Sequence, residues 1–187
     1  MKQHILPAVK LTSLCIIIFS GVYSLLILGF AQAAPNKGEG QTVLVNGQVK
    51  GYTLEGQSFT QDKYFNGRPS AAGYNAAGSS GSNKGPTNPD YLKDVQGRID
   101  SFLVHNPSVQ KGSIPSELVT ASGSGLDPDV SPEGALVQVA RVAKARKLDE
   151  EKIKALVTQQ IQKPLLGLFG TEKVNVLQLN IELDKLK

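Results

Sequence analysis

Between Leu11 and Asn36 the chain carries no charged side chain. A bilayer's hydrocarbon core is about 30 Å thick and takes about 20 apolar residues to cross as a helix. This run meets that requirement, so residues 1–10 read as a tail, 11–33 as a transmembrane helix and 34–187 as one domain beyond it. Thr12, Ser13, Ser20 and Ser24 are compatible with a span, because small hydroxyls bond back to their own helix or to a neighbouring one. Lys2 and Lys10 precede the run, whereas Lys37 and Glu39 cancel after it. The positive-inside rule therefore puts the N-terminus in the cytoplasm and the domain outside. A second reading competes. Ala31-Gln32-Ala33 has the shape of a signal-peptidase site, and cleavage there would release an exported, non-enzymatic ligand- or glycan-binding domain. The apolar run exceeds the roughly 7–15 residues of a signal-peptide core, which favours retention.

Composition removes several function classes. The formal net charge is +4, and no block of five or more Lys or Arg occurs, which argues against nucleic acid as a partner. The densest basic group, Arg141, Lys144, Arg146 and Lys147, falls late in an expected helix and reads as a solvated helix end. Cys15 is the sole cysteine and lies in the apolar run, so neither an intrachain disulfide nor a CxxC zinc site can form. His105 is the one histidine beyond the span and closes an expected helix, so it reads as a capping or surface group. No serine is placed beside it for a Ser-His-Asp arrangement. Asp127 and Asp129 flank Pro128 and read as a turn with helix-starting charge rather than a cation site. No catalytic and no metal-binding residue is assigned.

The domain reads as α+β: several helices with a small antiparallel sheet or hairpin. Asn46-Gly47 between Thr42–Val45 and Gln48–Tyr52 is a hairpin signal, since a type I′ turn needs positive φ at both central positions. Asp90 opens a helix whose apolar face is Leu92, Val95, Ile99, Phe102 and Leu103, and Asn106-Pro107 ends it. Leu118–Thr120 reads as a short strand. Ser131-Pro132 caps a helix that continues through Leu136, Val139, Ala140 and Ala143. Asp149 caps the next, and a final helix is capped by Asn175. Residues 64–90 are rich in Gly, Ser, Asn and Pro, too long for an ordinary connection, and read as an ordered binding loop pinned by Tyr64, Phe65 and Tyr74. Neither this loop nor Ser122–Pro132 matches a nucleotide motif. Pro128 stands where the third glycine of a dinucleotide fingerprint belongs, and Lys84 is followed by Gly85 rather than Ser or Thr. Both loops could still offer backbone N–H groups to an anion.

The loops carry a resemblance. Gly56-Gln57-Ser58-Phe59, Tyr64-Phe65-x-Gly67-Arg68-Pro69-Ser70, Tyr74-Asn75 and Gly81-Ser82-Asn83-x-Gly85-Pro86-Thr87-Asn88-Pro89 occur in order. They are followed by Leu118 to Pro128, Ser131-Pro132, Gln138-Val139-x-Arg141-Val142-Ala143 and Val174-Asn175-Val176-Leu177. With the single N-terminal anchor, the chain resembles the C subunit of the Kdp potassium-transporting P-type ATPase along nearly its whole length. The resemblance implies an accessory, non-catalytic subunit of an inner-membrane pump, needed for assembly and raising the ATP affinity of a partner. It implies as partners a potassium-conducting subunit, an ATP-hydrolysing subunit and a small membrane subunit. ATP is the implied nucleotide, and potassium is carried by a partner. Candidate partner or nucleotide contacts are Gln57, Phe65, Gly67, Arg68, Pro69, Ser70, Asn75, Ser82, Asn83, Ser122, Ser124 and Asp127. Nucleotide contact conflicts with the expected topology, since ATP is cytoplasmic and the domain is expected outside. Docking over the outer mouth of the potassium-conducting subunit does not.

Overall fold

The computed structural model describes residues 2–186 and divides into two units, one N-terminal through Gln41 and one from Thr42 onward. The first is a single helical rod. Helix α1 (Lys2–Ile16) passes through a π-helical stretch, Ile17–Val22, into α2 (Tyr23–Ala33). From Gln3 to Ala33 it is long and apolar enough to cross a membrane. The π stretch contains Gly21 and Ser20, and Ser24 donates its hydroxyl to the Phe19 carbonyl at 3.4 Å. Extra backbone turn and hydroxyl bonding back to the helix are the usual companions of such a bulge.

The second unit is α+β. It opens on the hairpin β1 (Thr42–Val45) and β2 (Gln48–Tyr52), joined at Asn46 and Gly47 with φ of 53° and 77°. These are the left-handed values that a type I′ turn requires, so the sequence signal holds. The pairing steps from Val43↔Gly51 to Leu44↔Val49, leaving Lys50 as a bulge. After α3 (Pro89–His105) come β3 (Asp129–Val130), α4 (Pro132–Leu136), α5 (Val139–Arg146), α6 (Glu150–Gln159), β4 (Ile161–Gln162), β5 (Lys173–Asn175) and α7 (Val176–Lys185). A small antiparallel sheet runs in the order β3-β5-β4, with Val174 paired to Val130 on one side and Ile161 on the other.

The core lies where α4 to α7 meet this sheet. Val139, Val142, Ile153, Val157, Val174, Leu179 and Leu183 are essentially inaccessible, and Phe65 reaches in from the long loop to join them. Burying a ring of that size is worth roughly 2–3 kcal/mol, enough to fix the loop segment that carries it.

Three boundaries differ from the sequence reading. Leu118–Thr120 is no strand. Residues Ser116–Leu118 form a 3₁₀ turn after Pro115, and the Thr120 hydroxyl bonds the Ser116 carbonyl at 2.8 Å. The local hydroxyl-to-carbonyl bond competes with extended pairing, and the apolar pair was no guide to it. The helix expected from Ser131 through Ala143 is two helices, broken at Val137-Gln138, where the Gln138 side chain turns inward to bond the Gly134 carbonyl at 2.8 Å. Helix α3 begins at Pro89, with Asn88 rather than Asp90 as its boundary; the Asn88 side chain accepts from the Tyr91 amide at 3.1 Å. The caps at Ser131, Asp149 and Asn175 stand as expected, each accepting from a backbone amide in the first turn.

Candidate functional site

Three glycine-rich segments, around residues 56, 67–81 and 122–127, are sewn into one platform. The Gly56 amide donates to the Leu126 carbonyl at 2.7 Å, and the Ser122 amide to the Pro69 carbonyl at 3.0 Å. The Ser70 hydroxyl donates to the Gly125 carbonyl at 2.6 Å and accepts from the Tyr74 amide at 2.9 Å. Ser79 donates to the Ser124 carbonyl at 2.9 Å. The Tyr74 hydroxyl bonds the Arg68 carbonyl, and the Arg68 guanidinium meets Asp127 at 2.9 Å with both side chains about a quarter exposed. Asp127 uses its other oxygen to accept from the Asp129 amide at 3.1 Å, while Asp129 pairs with Lys173 at 2.6 Å. The two aspartates therefore form the expected turn, and each also makes an ion pair that the sequence reading did not include.

Glycine is needed where these segments cross. A Cβ on Gly56 would lie 2.4 Å from the Asp127 carbonyl oxygen. Gly125 has φ of 70°, and a Cβ there would lie 2.8 Å from the Ser80 carbonyl oxygen. Burial pushes the Tyr74 phenol above its ordinary range; the Asp127 charge adds to this and Arg68 opposes it.

The candidate contacts fall into three groups. Phe65 and Ser122 are buried, Phe65 in the core and Ser122 bonded through its hydroxyl to the Gly125 amide at 3.0 Å. Their side chains are therefore enclosed by the domain's own atoms. Gly67, Arg68, Pro69, Ser70 and Asp127 are half-buried and form the platform itself. Ser124 sits exposed at its edge and caps the Leu126 amide at 3.1 Å. Asn75, Ser82 and Asn83 are exposed; Asn75 caps a 3₁₀ turn, and Asn83 takes φ of 51°. Gln57 is separate from these and lies against Gly51 in the hairpin, in the space a Cβ would fill.

The basic group expected as a solvated helix end is corrected in part. Arg141 is only 7% exposed. Its guanidinium donates to the carbonyls of Asp62 at 2.7 Å and Tyr64 at 2.9 Å, to Asn106 at 3.1 Å and to Gln138 at 2.6 Å. Asn180 brackets Phe65 by accepting from its amide and donating to its carbonyl, both at 2.9 Å. Arg146 lies over the Tyr64 ring and pairs with Asp184 at 2.6 Å. Lys144 and Lys147 are exposed, as expected. His105 is an exposed helix-end group, 2.8 Å from Asp62. Gln138, Asn106 and Asn180 were missed as positioning residues. A signal existed: each is an amide on or beside an apolar face, and a buried amide demands partners.

Two clefts adjoin these residues. One of about 260 Å³ is lined by Arg68, Glu117, Asp127, Asp129 and Lys173 among others. The larger, of about 810 Å³, separates α3 from residues 59–66 and includes Asp62, Arg98 and His105.

A family model described as "KdpC: K+-transporting ATPase, c chain" matches residues 5–185. The chain is 58% identical over 185 residues to a potassium-transporting ATPase KdpC subunit of Flavobacterium psychrophilum, covering 99% of this chain and 100% of that one. It is 53% identical over 188 residues to the protein of the same name in Bacteroides fragilis, covering 99% and 98%. With that of Gemmatimonas aurantiaca it shares 46% over 190 residues, covering 100% and 94%.

Proposed function

The chain belongs to the KdpC family, the C chain of K+-transporting ATPases, and from that premise we propose that it is the pump's non-catalytic accessory subunit. On this reading the apolar rod is retained as a single-pass anchor in the inner membrane, with the N-terminus in the cytoplasm and the domain outside. Lys2 and Lys10 on one side of the span support that orientation. The domain docks through the platform onto the outer face of the potassium-conducting subunit. Hydrolysis of ATP belongs to a partner, whose ATP binding the accessory subunit promotes by holding the complex together.

The observation that carries the docking reading is the way the Gly-rich loops are fixed. Arg68–Asp127, Ser70–Gly125 and Pro69–Ser122 turn segments with little apolar content into a preformed surface. Binding then costs less ordering entropy than it would for free loops.

A nucleotide on these loops is the second reading, favoured by one detail. The Arg68 Nε is buried and has no hydrogen-bond partner among the described residues. The surroundings nevertheless do not fit a triphosphate. The cleft beside Arg68 sets Glu117, Asp127, Asp129 and Glu172 against Arg68 and Lys173 alone, and the Ser70 and Ser79 hydroxyls are spent on the platform's own carbonyls.

Two measurements test this pair of readings. Arg68→Ala and Asp127→Ala in the full chain are expected to lower co-purification with the other pump subunits and to weaken potassium uptake at limiting potassium. Normal assembly and uptake in both variants would count against platform docking. Equilibrium binding of labelled ATP to the purified full chain is expected to show no saturable component; a saturable component lost in Arg68→Ala would establish the second reading instead.

A further inference from the structure

The tip of the segment between β4 and β5 packs into neither the core nor the platform. At its tip Leu165, Leu166, Leu168 and Phe169 are 70%, 81%, 80% and 64% exposed. Single exposed leucines need no explanation, but four large apolar side chains on one turn do. The tip has a fixed shape. Leu165 and Phe169 exchange two backbone hydrogen bonds, both 3.0 Å, and the Gly167 amide donates to the Pro164 carbonyl at 2.9 Å. Leu166 and Gly167 take φ of 55° and 73°. Glycine or asparagine suits that left-handed position, whereas a bulky leucine there is an outlier kept by its surroundings. The strain has no return inside the domain, because the Leu166 side chain faces solvent.

Two apolar environments could receive such a tip, a lipid bilayer or another protein. The flanks do not favour lipid. Lys163 and Glu172 cancel, and Lys173 is tied to Asp129 at 2.6 Å, so the basic rim that anionic headgroups attract is missing. A closed turn of defined shape suits a pocket instead. The tip also runs without a break into the proposed docking face, since Thr171, Glu172 and Lys173 line the same cleft as Arg68 and Asp127.

We propose that the Leu165–Phe169 turn is a docking knob that inserts into an apolar pocket on another subunit of the same pump. The inference rests on the accessory-subunit reading and names the part of the domain that anchors the contact.

The test uses the full chain co-expressed with the other pump subunits. Leu166→Gly relieves the left-handed leucine, so the Tm of the chain alone should hold or rise while its recovery with the pump falls about tenfold. Leu168→Ser should lose recovery with no change in Tm. Wild-type recovery of both variants would overturn the knob alone, as would a Tm that falls in parallel with assembly. Failure of the wild-type chain itself to co-purify would sink the accessory reading and the knob with it. The chain contains no tryptophan, so Phe169→Trp gives a single reporter at the tip. Its emission should shift to the blue on assembly and stay unquenched by brominated lipids when the full chain is alone in vesicles. Quenching in those vesicles would assign the tip to the bilayer and overturn the proposal.

Discussion

Arg141 holds the start of the long loop to the helical core through Nη1, while Nε and Nη2 bind Asn106 and Gln138. A buried cation is costly unless its donors are satisfied, and here the backbone carbonyls of Asp62 and Tyr64 and the side-chain oxygens of Asn106 and Gln138 supply the acceptors. Burial lowers the pKa of the guanidinium, and Asp62 at 4.0 Å partly offsets this. Arg141→Ala removes the cation together with its charge, leaving the Asp62 and Tyr64 carbonyls and the Asn106 amide oxygen unmatched, while Gln138 keeps the Asn66 amide. It is expected to destabilise the domain by about 3 kcal/mol in urea unfolding. Arg141→Lys should recover little, since an ammonium cannot span the same fork of acceptors. Tyr74 gives a pH signature. Its folded pKa is raised, so its contribution is complete below the ordinary value of 10.0 and is lost as pH rises from there through the folded value. Stability of the wild-type chain should therefore fall in that alkaline window. Tyr74→Phe should flatten this part of the fall, at the cost of the bond to the Arg68 carbonyl.

At the scale of elements, loops carry what helices carry in simpler domains. No residue of α3 is buried, and its Leu92 and Val104 are 52% and 77% exposed. Of the apolar face read from its sequence, only Phe102 packs against the buried core. The platform, by contrast, is held by backbone crossings that allow no side chain. Gly56→Ala would drive a Cβ against the Asp127 carbonyl, and backbone yields far less readily than a side-chain tip. Its expected cost is about 2 kcal/mol or more, read from the urea midpoint. Gly112→Ala meets nothing within 4 Å and is the matched control, expected to shift the midpoint little. Equal effects of the two substitutions would show that the crossing at residue 56 is not under steric constraint.

For the whole molecule, the open question at the sequence level is whether the apolar rod stays attached. Ala31-Gln32-Ala33 lies in the last turn of α2, and the Ala34 amide bonds the Phe30 and Ala31 carbonyls at 3.1 Å. Cleavage needs such a segment to open, and the helix opposes it. The intact mass of the protein purified from membranes should therefore correspond to a chain that keeps residues 11–33. Protease added to intact spheroplasts should remove the domain, whereas a protected domain would reverse the proposed orientation. The sequence by itself determined the features that depend on near neighbours: the length of the apolar run, the Asn46-Gly47 turn, the caps at Ser131, Asp149 and Asn175, and the motif order that marks the family. Each is set by bonds or periodicities within a few residues. Only the tertiary structure decided which polar groups leave solvent. Arg141 reads as one more surface cation until Asp62, Tyr64, Asn106 and Gln138 converge on it from across the chain. Phe65 reads as a loop contact until Asn180 clamps its backbone and the core encloses its ring. Burial and partner geometry are sums over distant segments, and no local window of sequence contains them.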